Sequence, residues 1–466
     1  MTDQRLLDQQ EATLSTASRA DSLEGARLRL KEAAATLFES PHSYSQKLLR
    51  IEIEIPYTNP LLWLSAQTIT GRGYFCDRQK SFEMAAVGSV VAVTESSAPS
   101  SVCRTVRSII GNTTARALGG FRFEAAMSSS PDWNGFGQAR FVIPRFDLVH
   151  SAGKCRLNMN IVLDGTATAD SLLQEIDSLN LFLPRLEAAL PSIVARDDQP
   201  LQKEWTRQVG SILDSVRDNS VQKAVLARRT TLDYFEPVDA VSLLSRMHER
   251  EIQCYGFYME DSSGRGFISV SPERLYRREA SIIEVEALAG TRPRSTSPSD
   301  DDHLAQELQS SAKDLNEHRF VVRFISETLN ELCTSIDCSK EPAVVRFRRV
   351  QHLQTLFQGQ LRPDVDDDLV LARLHPTPAV AGYPSDKSRH LIRSLETFDR
   401  GWYAGPVGSI SATGAEFAVG IRSALVDDRK VHLYAGCGIV EGSDPAREWD
   451  EIETKISGFM ELFSGQ

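Results

Sequence analysis

Glu448, Glu451 and Lys455 stand at i, i+3 and i+7 in E-W-D-E-I-E-T-K, which puts two carboxylates and an ammonium on one face of a helix. Such a face can hold a hard cation such as Mg2+ through oxygen ligands, or it is an ordinary solvated face with a salt bridge. Immediately upstream, A-G-C-G-I-V ends a strand on Gly436 and Gly438, whose bare backbone a ligand can approach closely. Lys223 lies in V-Q-K-A-V-L-A-R, a strand on which Lys223, Val225 and Ala227 face one way. A lysine there is either an edge residue that snorkels to water or a functional amine with a lowered pKa. Glu273 follows Pro272 at the end of the apolar strand F-I-S-V-S-P-E-R-L and is ambiguous alone.

More polar groups accumulate in the same half of the chain. Gly290 and Thr291 close I-I-E-V-E-A-L-A-G-T, as a backbone anion receiver or as a simple turn. Glu317 lies in K-D-L-N-E-H four residues after Lys313, a pair that a surface salt bridge explains. His352 sits in V-Q-H-L-Q-T. Thr377, Ala379 and Val380 belong to L-H-P-T-P-A-V-A-G-Y-P, where the prolines exclude a helix interior and leave a stiff loop. His375 of that loop has no histidine or cysteine at ligand spacing and takes no metal role. Arg422 is read on a strand Glu416–Val426 beside Ala418, Gly420 and Ala424. These small neighbours leave room for a bidentate carboxylate or for an inter-strand ion pair.

The elements that must position these residues follow from patterning. At 466 residues the chain is long for one core, so two domains or one large intertwined domain are expected. The first forty residues show an amphipathic helical spacing without a signal peptide's apolar core. Alternating runs predict strands over Lys47–Pro56, Phe82–Val93, Gly119–Glu124, Ala139–Val149 and Cys155–Leu163, a mostly antiparallel sheet. Helices are predicted over Ala169–Leu190 and Gln202–Asn219, then strands over Val221–Tyr234, Phe267–Leu275 and Ile282–Arg294. The acidic stretches Ser295–Asp302 and Asp364–Asp368 read as surface loops. No flexible linker divides the chain, which disfavours separate beads on a string.

Composition narrows the partners. A net charge of −11 without a basic cluster disfavours nucleic acid, so positive charge for an anionic ligand must be local. Seven scattered cysteines without a C-x-x-C pair suggest reduced thiols in the cytoplasm. No apolar run is long enough to span a membrane.

Taken together, Q-K-A-V-L-A-R, S-P-E-R-L, A-L-A-G-T-R, K-D-L-N-E-H, V-Q-H-L-Q-T, L-H-P-T-P-A-V-A-G-Y-P, Y-A-G-P-V-G, F-A-V-G-I-R-S-A, A-G-C-G-I-V and E-W-D-E-I-E-T-K resemble, in order, the motifs of the chorismate-utilising enzymes. The loop with Ala379 and Val380 is similar to that of isochorismate synthases and lacks the S-G-x-P-K continuation of the aminating and salicylate-forming members. A salicylate synthase and a non-catalytic chorismate-binding subunit are the alternatives. The resemblance implies an α+β, aminodeoxychorismate synthase-like fold, two large antiparallel sheets packed face to face with helices outside. Residues 1–45 would form a helical segment, 46–200 a sheet-rich half and 201–464 the chorismate-binding region, intertwined in one domain. It further implies Lys223 as the base and Glu273 as the acid, which requires a neutral amine and a protonated carboxyl. Glu317 and Glu451 would hold Mg2+, with Glu448 acting through water. Arg422, Gly436 and Gly438 would take the enolpyruvyl carboxylate, while Gly290, Thr291, His352, Thr377, Ala379, Val380 and Lys455 line the pocket. The resemblance implies no obligatory glutaminase partner, and a monomer or weak homo-oligomer is expected. The pathway served, whether menaquinone, siderophore or salicylate, is not legible.

Overall fold

The structure, a computed structural model, describes residues 18–39, 48–95, 101–124, 130–163, 167–184, 190–251 and 253–463. Among them, strands assemble into one sheet of thirteen and one of ten, almost wholly antiparallel, with helices on the outside. This is the expected α+β arrangement. The larger sheet runs from Leu48–Ile55 at one side through Gly73–Cys76, Tyr255–Glu260 and Gly266–Ser271 to Ser423–Asp427, Lys430–Ile439 and Lys223–Tyr234. Gly73–Cys76 pairs with Tyr255–Glu260, so early and late parts of the chain meet inside one sheet. The smaller sheet joins Val350–Leu361, Ile282–Pro293, Arg274–Glu279 and Gly414–Val419 to Ala117–Phe121 and Ala139–Ile143.

Alternation along each strand sorts side chains into two apolar layers. Phe75, Phe257 and Phe267 of the larger sheet share a layer with Phe121, Phe141 and Phe417 of the smaller. Trp402 links the two, its ring 6.1 Å from that of Phe267 and pressed so closely on Gly120 that a Cβ there would meet it at 2.9 Å. Tyr74, Tyr258 and Ile268, the alternate residues, point to the outer layer under the helices Leu23–Glu39, Gln202–Arg217, Ala240–Arg250 and Pro445–Phe463. The helix Ala312–Leu332 lays Val321, Ile325 and Leu329 against the smaller sheet.

Four segments that read as single strands are each two strands, in different sheets. Phe82–Val87 and Val91–Glu95 are separated at Gly88, whose φ of 68° turns the chain. Ala139–Ile143 and Phe146–Ser151 part at Pro144, Gly266–Ser271 and Arg274–Glu279 at Pro272 and Glu273. Gly414–Val419 and Ser423–Asp427 part around Arg422, which has a φ of 46°. Apolar alternation survives each crossing because both sheets bury that face, so the pattern carries no mark of the corner. Arg422 therefore lies at a corner rather than on the face of a continuous strand.

Other boundaries also differ. The helix predicted to reach Leu190 ends at Asp177, and the second ends at Arg217. The N-terminal helix occupies Leu23–Glu39, while residues 1–17 lie outside the described ones. Neither acidic stretch is merely a loop. Asp301, within the helix Pro298–Ser310, is buried against Arg294 at 2.8 Å. Asp367 is fully buried and binds Arg278 at 2.7 Å, Arg107 at 2.5 Å and the Tyr276 hydroxyl at 3.0 Å, while Asp368 caps the helix Val102–Ile110 through the amides of Cys103 and Arg104. Removing one member of such a buried network strands the others. Asp367→Ala should therefore lower the free energy of unfolding by about 3–5 kcal/mol in urea titrations.

Candidate active site

Each functional side chain is placed by a different element. Lys223 opens the strand Lys223–Tyr234, almost fully buried, and its Nζ donates to Glu317 Oε1 at 2.9 Å. Glu317 comes from the second turn of the helix Ala312–Leu332, capped by the Ser311 hydroxyl on the amide of Asp314. Gly438 lies between them: a Cβ there would stand 2.7 Å from Lys223 Cε and 2.8 Å from Glu317 Oε1, so only glycine leaves room for the pair. The helix Pro445–Phe463, whose first turn is capped by Asp444, presents Glu448, Glu451 and Lys455. Lys455 donates to Glu451 at 2.7 Å and to the Gly436 carbonyl at 2.8 Å.

These groups enclose one cavity of about 400 Å³, a size that suits a small molecule. Every candidate residue from the sequence lines it except Thr377. Thr377 instead organises the loop behind, its carbonyl accepting from the amides of Val380 and Ala381, and its side chain is buried away from the cavity. Ala379 and Val380 are the loop residues that reach the wall. The pair expected between Lys313 and Glu317 is not made: Lys313 crosses to Glu448 at 3.3 Å, which leaves Glu317 for Lys223.

Burial sets the ionisation. Glu273, on the corner between sheets, is pushed up to about 8 by burial and then by the negative charge of Glu286, against the pull of Lys223 and Lys455. It is thus a carboxylic acid that keeps its proton near neutrality. His352 is driven down to about 3 by burial and by Arg422, so its imidazole is neutral. Its Nδ1 lies 3.1 Å from the Gly290 carbonyl, which assigns the proton to Nδ1 and leaves Nε2 as an acceptor. Glu451 is held below the usual carboxylate range: burial opposes this, but Lys455 beside it and Lys313 outweigh burial. Tyr403 is raised to about 12, chiefly by burial.

Glu317, Glu448 and Glu451 are hard oxygen donors on one wall, and each is balanced by a lysine. Among the described residues no three His, Cys, Asp or Glu side chains converge into a ready-made metal cage. The donor chemistry nonetheless fits a hard divalent ion that retains several waters and takes few protein ligands.

Several lining residues had no assigned role in the sequence. Tyr403 stacks on Tyr434 at 5.3 Å, and its hydroxyl would stand 2.8 Å from a Cβ added at Gly436; its motif, Y-A-G-P-V-G, was visible, but not its role. Arg292 and Asp314 form a 2.7 Å pair on the wall. Arg78 and Glu286, behind Glu273, left no local signal because 208 residues separate them.

Because the unfolded chain loses the Glu273 proton near the ordinary glutamate value of 4.5 while the folded chain keeps it to about 8, wild-type stability should fall as pH rises across that window. Glu273→Gln should remove this slope. Its stability advantage should grow to the order of a few kcal/mol by about pH 8 in urea unfolding.

A model of the chorismate binding enzyme family matches residues 32–464. The chain is 35% identical over 359 residues to the chloroplastic isochorismate synthase of Catharanthus roseus, covering 74% of this chain and 62% of that longer protein. It is 30% identical over 443 residues to the isochorismate synthase MenF of Haemophilus influenzae, covering 93% of this chain and 97% of that one. In three dimensions it superimposes on the menaquinone-specific isochorismate synthase MenF of Escherichia coli with a TM-score of 0.84 and 28% identity, covering 94% of this chain and all of the other. With the family model spanning nearly its whole length around one such cavity, the chain belongs to the chorismate-binding enzyme family.

Proposed function

We propose that the protein is an isochorismate synthase, converting chorismate to isochorismate with Mg2+ as cofactor. The observation that carries this reading is a buried amine and a buried, protonated carboxyl sharing one small-molecule cavity, Lys223 and Glu273. The reaction adds water at C2 of the ring and expels the C4 hydroxyl as the double bonds shift. Hydroxide is a poor leaving group, so the departing oxygen must receive a proton, which Glu273 carries. The incoming water must lose one, and Lys223 Nζ, held on the cavity wall 2.9 Å from Glu317 Oε1, is the base that takes it, a role that needs the amine free of its third proton. Each transfer is worth roughly 10² to 10⁴ in rate.

Chorismate carries two carboxylates. Arg422, beside Gly436 and Gly438 on the wall, suits the enolpyruvyl carboxylate, and its present partner Glu251 stands at a loose 3.4 Å. Glu317 and Glu451 would hold Mg2+, with Glu448 through water; when bound, the ion neutralises the ring carboxylate. Gly290, Thr291 and the Nε2 face of His352 line the remaining wall, with Lys455 opposite in charge to the substrate. Ala379 and Val380 keep one side of the ring free of polar side chains that would divert the chemistry. No helix among the described residues is long and apolar enough to cross a membrane. A cytoplasmic enzyme, monomeric or weakly self-associating and without a glutaminase partner, is consistent with seven free cysteines and with the A-V-A-G-Y-P loop.

Chorismate incubated with the protein and Mg2+ should yield isochorismate on chromatography, and chelation should abolish the product. Salicylate as the main product, or none, would overturn the assignment. Lys223→Met should remove turnover. Gly438→Ala, which drives a methyl into the Lys223–Glu317 pair, should cost at least about tenfold in kcat while the protein stays folded.

A further inference from the structure

Glu273 sits between Pro272 and Arg274 on a corner whose own amide and carbonyl bond the Ser271 hydroxyl and the Val419 amide, and two distant residues hold the peptide groups on either side of it. Glu286, buried in the strand Ile282–Pro293, accepts from the Arg274 amide through Oε1 at 2.8 Å and from Gln354 Nε2 through Oε2 at 2.8 Å. Arg78, just beyond the strand Gly73–Cys76, donates through Nη2 to Glu286 Oε2 at 2.9 Å and through Nη1 to the Pro272 carbonyl at 3.0 Å, with Nη1 also in ion-pair contact with Glu286 Oε1 at 2.9 Å. Its guanidinium also lies 5.6 Å from the centre of the Tyr255 ring. The peptide groups on both sides of Glu273 are therefore tied to one buried ion pair. Neither member of that pair lines the cavity.

We propose that Glu286 and Arg78 are the positioning residues of the acid: together they clamp the corner by its backbone and set a buried carboxylate behind Glu273. This rests on the reading of Glu273 as the proton donor. A guanidinium that bonds a carboxylate through one nitrogen and a carbonyl through another fixes geometry that a loop without it would lose. The groups acting on Glu273 come from three other elements: Glu286 favours the protonated form, while Lys223 and Lys455 favour the ionised form. Arg274 directs its own guanidinium away, to the Tyr255 hydroxyl at 2.9 Å and Glu284 at 2.8 Å. Without the Glu286 charge, burial alone opposes the two lysines and Glu273 ionises at lower pH.

Glu286→Gln retains the shape and an acceptor for the Arg274 amide. Difference infrared spectra against the same protein carrying Glu273→Gln, recorded without substrate from mildly acidic to alkaline pH, report the Glu273 carboxyl directly. Its midpoint should fall by about one pH unit or more in Glu286→Gln, and the alkaline limb of kcat for chorismate should move the same way with KM within about twofold. Glu286→Asp, which keeps the charge, should restore both. An unmoved midpoint, or a loss of kcat uniform across pH, overturns the electrostatic role. Arg78→Lys keeps the charge but cannot bond the Glu286 carboxylate and the Pro272 carbonyl through two separate nitrogens. It should lower kcat about tenfold with KM and the Glu273 midpoint unchanged, and unaltered kcat overturns the clamp. This variant also decides the matter should Glu286→Gln fail to fold. If the wild-type protein leaves chorismate untouched, the functional reading fails while the infrared titration still decides the role of Glu286.

Discussion

Two neighbouring strands change sheet at the same place, and the site depends on how those crossings are tied together. Where the chain leaves Gly266–Ser271, the Glu273 carbonyl accepts from the Val419 amide at 3.1 Å; where it leaves Gly414–Val419, the Arg422 carbonyl accepts from the Val270 amide at 3.1 Å. The corners thus satisfy each other's backbone in a region where an unpaired peptide group would be costly. One corner carries Glu273 and the other Arg422, so a single pair of main-chain bonds sets the relation between these two side chains. The aromatic layer between the sheets makes this frame rigid, since neither sheet can slide without displacing rings such as Trp402.

Around that frame the cavity is electrically balanced by long-range pairing. Lys223 meets Glu317, Lys313 meets Glu448 and Lys455 meets Glu451, drawing on two helices and a strand. Such pairs are weak contributors to stability when buried, because desolvation offsets their attraction. Their value lies in keeping several charges of both signs in one small space inside an acidic protein. Glu273 stands outside this pairing. Burial, joined by the charge of Glu286 behind it, outweighs the pull of Lys223 and Lys455 and keeps its proton on, so the site holds an acid and an amine with divergent environments.

Much of the site was legible because its residues lie in short segments whose types are unusual for their surroundings. A lysine inside an apolar strand, glycines flanking Cys437 and acids at helical spacing are each locally odd, and together they formed an ordered set. The roles that remained hidden are those defined by contact. Thr377 looked equivalent to Ala379, but the loop turns it inward to close its own backbone, and only its neighbours reach the cavity. The i, i+4 spacing of Lys313 and Glu317 permits a salt bridge on one helix face, yet Lys313 bonds Glu448 of another helix and Glu317 bonds Lys223. In the fold, the predicted strands over Phe82–Val93 and Phe267–Leu275 hid corners because burial continues on both sides of each crossing.

By itself the sequence determined which residues have chemistry to offer, the mixture of strands and helices and the absence of a linker, since these follow from residue type and from periods of two and about three and a half; the α+β class came with the resemblance of its ordered motifs. The tertiary structure alone decided which charge faces which and where the strands change sheet. It also decided that Arg78, from a half of the chain with no reactive constellation, would reach Glu286 behind the acid. Those relations depend on how distant segments pack, and a Coulomb interaction or hydrogen bond acts over a few ångströms of space regardless of separation along the chain. Periodicity records which face of a strand is buried, but not against what.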